Sequence, residues 1–104
     1  MVTKIENEKM EKALEAKAAV VDFSATWCGP CRMLAPVMEE LSEEMEGKVD
    51  FYNADTDENP QLAGKYNIYS IPAVLVFKEG QLVGSAVGFR PKADMKAFIE
   101  SKIG

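Results

Sequence analysis

Apolar residues recur along this chain in two rhythms, one suited to strands and one to helices. Residues 18–25 are apolar almost throughout, as in a strand buried on both faces, and Asp22 is the only charge among them. Leu34, Val37, Met38, Leu41 and Met45 then mark one face of a long helix, with Pro36 inside it as an expected kink and Gly47 as its C-cap. Met10, Ala13, Leu14 and Ala18 repeat at helical spacing and predict a helix over 7–17, preceded by a short strand in 1–5. Residues 49–54 read as a strand. A short helix over 60–66 follows, capped by Asp57 or Asn59. Strands over 73–77 and 82–87 are joined through Lys78-Glu79-Gly80-Gln81, a hairpin signal. Pro91 opens a last helix with Met95, Phe98, Ile99 and Ile103 inward. The order β-α-β-α-β-α-β-β-α predicts an α/β fold, a mixed sheet with helices on both faces.

A length of 104 residues fits one domain, 1–104, with its own core. Against 17 acidic residues stand only 12 Lys and Arg, a net charge of −5, which disfavours nucleic acid as a partner. Much of that acidity lies in Glu39, Glu40, Glu43, Glu44 and Glu46, a solvated helix face. The first dozen residues are mostly charged and lack the apolar core of a signal peptide, and no run is long enough to span a bilayer. A cytoplasmic location without membrane attachment is therefore expected.

The only two cysteines stand in Trp27-Cys28-Gly29-Pro30-Cys31, where a strand runs into a helix. Residues three apart on a helix share a face, with Cβ atoms about 5–6 Å apart, within reach of a disulfide. Such a pair can open and close without unfolding the domain. Two other readings compete. A structural disulfide closing so short a loop would restrict the unfolded chain very little. A metal site normally needs four Cys or His ligands, and two cysteines with no histidine would require a dimer. No metal or other cofactor is expected. The six methionines fall mostly on helix faces and read as core.

These pieces in this order resemble the thioredoxin family from end to end. The resemblance rests on Val20-Val21-Asp22-Phe23, Trp27-Cys28-Gly29-Pro30-Cys31, Ala35-Pro36, Asp57-Glu58-Asn59-Pro60, Ile71-Pro72-Ala73 and Val87-Gly88. It implies a five-stranded mixed sheet flanked by four helices, and reduction of disulfides in other proteins. On that reading Cys28 is the nucleophile, favoured as thiolate by the helix N-terminus. Cys31 is the resolving thiol. Gly29-Pro30 is the dipeptide of the reducing members, and Pro30 suits a first helical turn in any case. Asp22 exchanges a proton with Cys31. Pro72 is cis beside the cysteines and leaves the Ile71 backbone free to pair with an extended substrate. Trp27, Ala73, Val87 and Gly88 complete a shallow apolar groove.

The chain departs from the family beside Asp22. Many members carry a lysine on the third strand, where this chain has Asn53. Without that cation the carboxyl should hold its proton to higher pH. Ser24 and Arg32 are milder departures, the latter keeping a positive charge where lysine is common.

The resemblance implies a monomeric general protein-disulfide reductase. Its partners are disulfide-containing client proteins and a thioredoxin reductase, NADPH-flavin or ferredoxin-linked. Two alternatives stay open: a reductant dedicated to one client, and a non-catalytic subunit that stabilises a partner. Intact Cys28, Cys31 and Asp22 weigh against the second.

Overall fold

The computed structural model describes residues 1–104. Its elements are β1 (Val2–Lys4), α1 (Glu11–Glu15), β2 (Ala18–Ser24), α2 (Gly29–Glu44), β3 (Asp50–Asp55), α3 (Pro60–Lys65), β4 (Ala73–Lys78), β5 (Gln81–Val87) and α4 (Lys92–Ile103). The five strands form one sheet in the order β1-β3-β2-β4-β5. β2 lies at its centre, parallel to β3 and antiparallel to β4. The expected order of elements and the mixed sheet are both present.

Alternation along β2 divides the core in two. Val20 points toward α2 and α4, joining Leu34, Met38, Leu41, Val74, Val76, Met95 and Ile99. Val21 and Phe23 point the other way and pack with Ala13, Leu62, Leu75 and Phe77. The uninterrupted apolar run of β2 is therefore explained by cover on both faces. α2 runs unbroken through Pro36. At the β4–β5 hairpin, Glu79 (φ 51°) and Gly80 (φ 80°) are both left-handed, the geometry of a tight two-residue turn. A Cβ on Gly80 would stand 3.1 Å from the Leu14 carbonyl, a tight contact, so space favours glycine there as well.

Three local expectations change. The C-cap of α2 is Met45, and Gly47 (φ 87°) stands two residues beyond it. The helix expected over 7–17 shrinks to Glu11–Glu15. Asn7 (φ 55°) and Glu8 (φ 61°) are left-handed, and Ala16 is already extended toward β2. The helical spacing of Met10, Ala13 and Leu14 is real, but the chain must turn on either side of it. Neither Asp57 nor Asn59 caps α3 with its side chain. Glu8 does so from 53 residues away, its carboxylate accepting the N–H groups of Gln61 (2.9 Å) and Leu62 (3.1 Å). Asn59 is wholly buried instead. Its Nδ2 donates to the carbonyls of Ile5 and Asp55, and its Oδ1 accepts the Glu8 N–H at 2.9 Å.

Candidate functional site

The carboxyl end of β2 delivers the chain through Ala25 to Cys28, the N-cap of α2. Cys28 is extended there, with Pro30 in the first turn, where its missing N–H costs no bond. The Cys31 backbone N–H donates to Cys28 Sγ at 3.3 Å. The sulfur thus occupies the place of a capping oxygen and sits where a helix favours negative charge. Cys28 and Cys31 are joined as a disulfide, with Cα atoms 5.3 Å apart. Both are nearly buried and pack with Ala25 and the half-buried Ile71. Cys28 Sγ lies 3.9 Å from the Ile71 carbonyl oxygen. The Ile71–Pro72 bond is cis, as the resemblance implied.

Asp22 shares its face of β2 with Val20, and so points toward the cysteine helix. It is 2% exposed, and its Oδ1 has no hydrogen-bond partner. Burial pushes its pKa from 3.8 up to about 7, and the neighbouring Asn53 amide offsets part of that. The register places Asn53 directly beside Asp22. Its Nδ2, however, donates to the Asp22 carbonyl at 3.1 Å and to Ser24 Oγ at 2.9 Å. Asn53 therefore acts on the carboxyl as a nearby dipole rather than as a full partner. No cation pairs with Asp22.

Around the sulfurs, Trp27 is 67% exposed and Val87 is 62% exposed. Pro72 and Ala73 are buried, with the Ala73 side chain in the core beneath α1 and α3. Gly88 has φ 96°, a conformation that strains any residue with a Cβ, and its N–H donates to the Pro72 carbonyl at 2.8 Å. That bond joins the end of β5 to the cis-proline turn. Two further residues support the site. Asp57 accepts the Trp27 indole N–H at 2.9 Å and so fixes the ring. Arg32 donates through Nη1 to the Thr26 carbonyl at 2.9 Å and ties down the loop before the cysteines. Asp57 has the look of a helix cap in sequence, and only the fold brings it to Trp27, 30 positions away.

The arrangement can do one kind of chemistry. A capped sulfur can leave or attack as thiolate, its neighbour can attack it and release whatever it is bonded to, and a buried carboxyl titrating near neutrality faces their helix. The family model described as Thioredoxin matches residues 1–101. Two curated relatives, each named thioredoxin, come from Staphylococcus aureus strains MW2 and N315. Each is 44% identical to this chain over 102 residues, covering 98% of the chain and 98% of the relative. With a match of that extent over a cysteine pair held in this way, the chain belongs to the thioredoxin family.

Proposed function

We propose that Cys28 attacks, Cys31 resolves and Asp22 takes up the Cys31 proton. The reaction is that of a general protein-disulfide reductase working by thiol–disulfide exchange. In the reduced protein the Cys28 thiolate attacks one sulfur of a client disulfide. The client S–S bond breaks, its other sulfur leaves as thiolate, and Cys28 is joined to the client. Ionised Asp22 then takes the Cys31 proton. The Cys31 thiolate attacks Cys28 Sγ, the bond to the client breaks, and the second client sulfur leaves and is protonated. Two electrons have passed to the client, and the Cys28–Cys31 disulfide remains. A separate reductase returns the electrons.

The observation that carries these roles is the Cys31 N–H on Cys28 Sγ at the start of α2. It favours charge on Cys28 and places the two sulfurs for an intramolecular second step. In this reading Trp27 and Val87 flank the incoming client, and the Ile71 backbone offers it a strand-like partner. Ile71 and Gly88 border the contact, with Pro72 and Ala73 shaping it from beneath. Gly29 and Pro30 set the loop between the sulfurs. The protein acts as a single domain over 1–104, as a monomer, in the cytoplasm. No helix of the structure is long and apolar enough to cross a membrane.

Dithiothreitol-driven reduction of a protein disulfide tests the roles. Wild type should turn over well above the dithiothreitol background, and Cys31→Ser should accumulate as a covalent adduct through Cys28. An adduct through Cys31 in the Cys28→Ser protein, with none in Cys31→Ser, would reverse the assignment. Turnover driven by NADPH through a flavin reductase, or by reduced ferredoxin through a ferredoxin-linked one, identifies the recharging partner.

A further inference from the structure

β5 is an edge strand covered on one face only. Ala86, its single buried residue, packs on the same side as Val74, beneath α4. On the opposite face Val87 stands across from Ala73, and Leu82 across from Phe77. There no helix covers β5, and Leu82 (50% exposed) and Val87 (62%) face outward. The turn after α3 rises beside them. Its Tyr69 is 89% exposed, with its hydroxyl donating to Asn67 Oδ1 at 3.3 Å. Between turn and strand lies a groove of about 300 Å³, with Tyr66, Ile68 and Leu75 toward its floor and Tyr69, Leu82 and Val87 at its rim. None of its lining residues is charged, in a chain with 28% charged residues.

We propose that this groove seats an apolar side chain of the client, a few residues along from the cysteine under attack, and so selects disulfides held in extended apolar segments. The inference rests on the reductase reading above. The occupant follows from continuity. During turnover the client is bonded to Cys28, whose sulfur lies beside Ile71. The groove begins at the next residues on, where Ala73 faces Val87, and follows the β4–β5 face toward Leu82. Four strand residues span roughly 13–14 Å. An extended client running beside them would present side chains to the groove at about 7 Å intervals, at every second residue. The client residue two or four positions from its cysteine, on one side, is therefore the one placed to enter. The volume is at the lower limit for a small-molecule site, about 300 Å³, and suits one large side chain. An acidic or basic side chain would find no counter-charge there and would lose water. Folded clients bury their apolar strands, so the preference favours disulfides exposed by local unfolding.

Disulfide-linked peptide dimers provide the test. Each carries a central cysteine with leucine two and four residues to one side, or serine at the same places. A small aromatic disulfide, dithiobis(nitrobenzoate), reports the cysteine chemistry alone. Leucine on one side should raise kcat/KM on the order of tenfold over serine, from partial burial of the side chain. Leucine on the other side should not. The double variant Tyr69→Ser, Leu82→Thr should reduce that ratio to near one while reducing the small disulfide at the wild-type rate, which also shows that it is folded. Equal rates for leucine and serine peptides would overturn the inference, as would a preference that survives in the double variant. Sedimentation showing a dimer that the double variant dissociates would assign the groove to a second copy, and likewise overturn it. Failure of wild type on the small disulfide would instead remove the reductase reading beneath it.

Discussion

Replacing Asp22 by asparagine should stabilise the oxidised protein, and only above mildly acid pH. The side chain keeps its shape and loses its charge. In the folded protein burial holds the Asp22 pKa at about 7, against 3.8 when unperturbed. Well below pH 4 both folded and unfolded chains hold the proton, and the carboxyl costs nothing. As pH rises, the unfolded chain ionises first and gains stability relative to the folded one. Folding stability falls through that interval, and the loss is complete once pH passes the folded value near 7. About three pH units at ~1.36 kcal/mol each is roughly 4 kcal/mol. In a chain of this size that corresponds to a Tm difference on the order of 15–30 °C. Thermal unfolding of both proteins from pH 4 to 8.5 checks it. The two Tm curves should draw together toward pH 4, separate through pH 5–7 and run parallel above. The ion pairs of Glu44 with Lys92 and Lys96 are exposed and common to both proteins, so they cancel in the difference. A Tm difference that is the same at every pH would refute the reasoning.

The same carboxyl should set the pH dependence of resolution, with the rate of mixed-disulfide breakdown rising through about pH 7 in wild type and losing that step in Asp22→Asn, as rapid-quench measurement at each pH would show. Asn53→Lys places a cation beside Asp22 in the register and should lower the midpoint of its titration by about one to three pH units, seen by carboxyl NMR; an unmoved midpoint would mean the ammonium turns to solvent. Glu8→Gln weakens the remote cap of α3 and should cost about 1 kcal/mol, a fall in Tm of about 4–8 °C, with disulfide reduction unchanged. Asp57→Ala frees the Trp27 indole and should raise KM for protein clients about two- to fivefold with little effect on kcat, accompanied by a change in tryptophan emission.

How legible each feature was in sequence depended on whether its cause was local. β2 could be read because cover on both faces leaves no polar alternation, and Asp22 stood out as the one charge in that run. The cysteine site could be read because strand, N-cap, proline and both thiols lie within a few consecutive residues. Position along the third strand sets Asn53 beside Asp22, and the parallel register agrees. The apolar spacing around α1 predicts too long a helix because it carries no sign of the left-handed Asn7 and Glu8. The Glu8 cap and the Asp57–Trp27 bond join residues 53 and 30 positions apart, and nothing local announces either. Tyr69 gave no signal, since an aromatic residue in a turn becomes a wall only once β5 is laid beside it.

Buried Asn59 has a consequence for how the molecule opens. Its three side-chain bonds gather the end of β1, the turn at Glu8 and the last residue of β3 onto the start of α3. An amide so enclosed cannot lose one partner and recover it from water, so these segments should loosen together rather than fray in sequence. In native-state hydrogen exchange, the Glu8 amide and those of the first turn of α3 should share one opening free energy, although more than fifty residues separate them. The edge of the molecule at β1 would then behave as a single cooperative unit with α3, opening apart from the β4–β5 hairpin across the sheet.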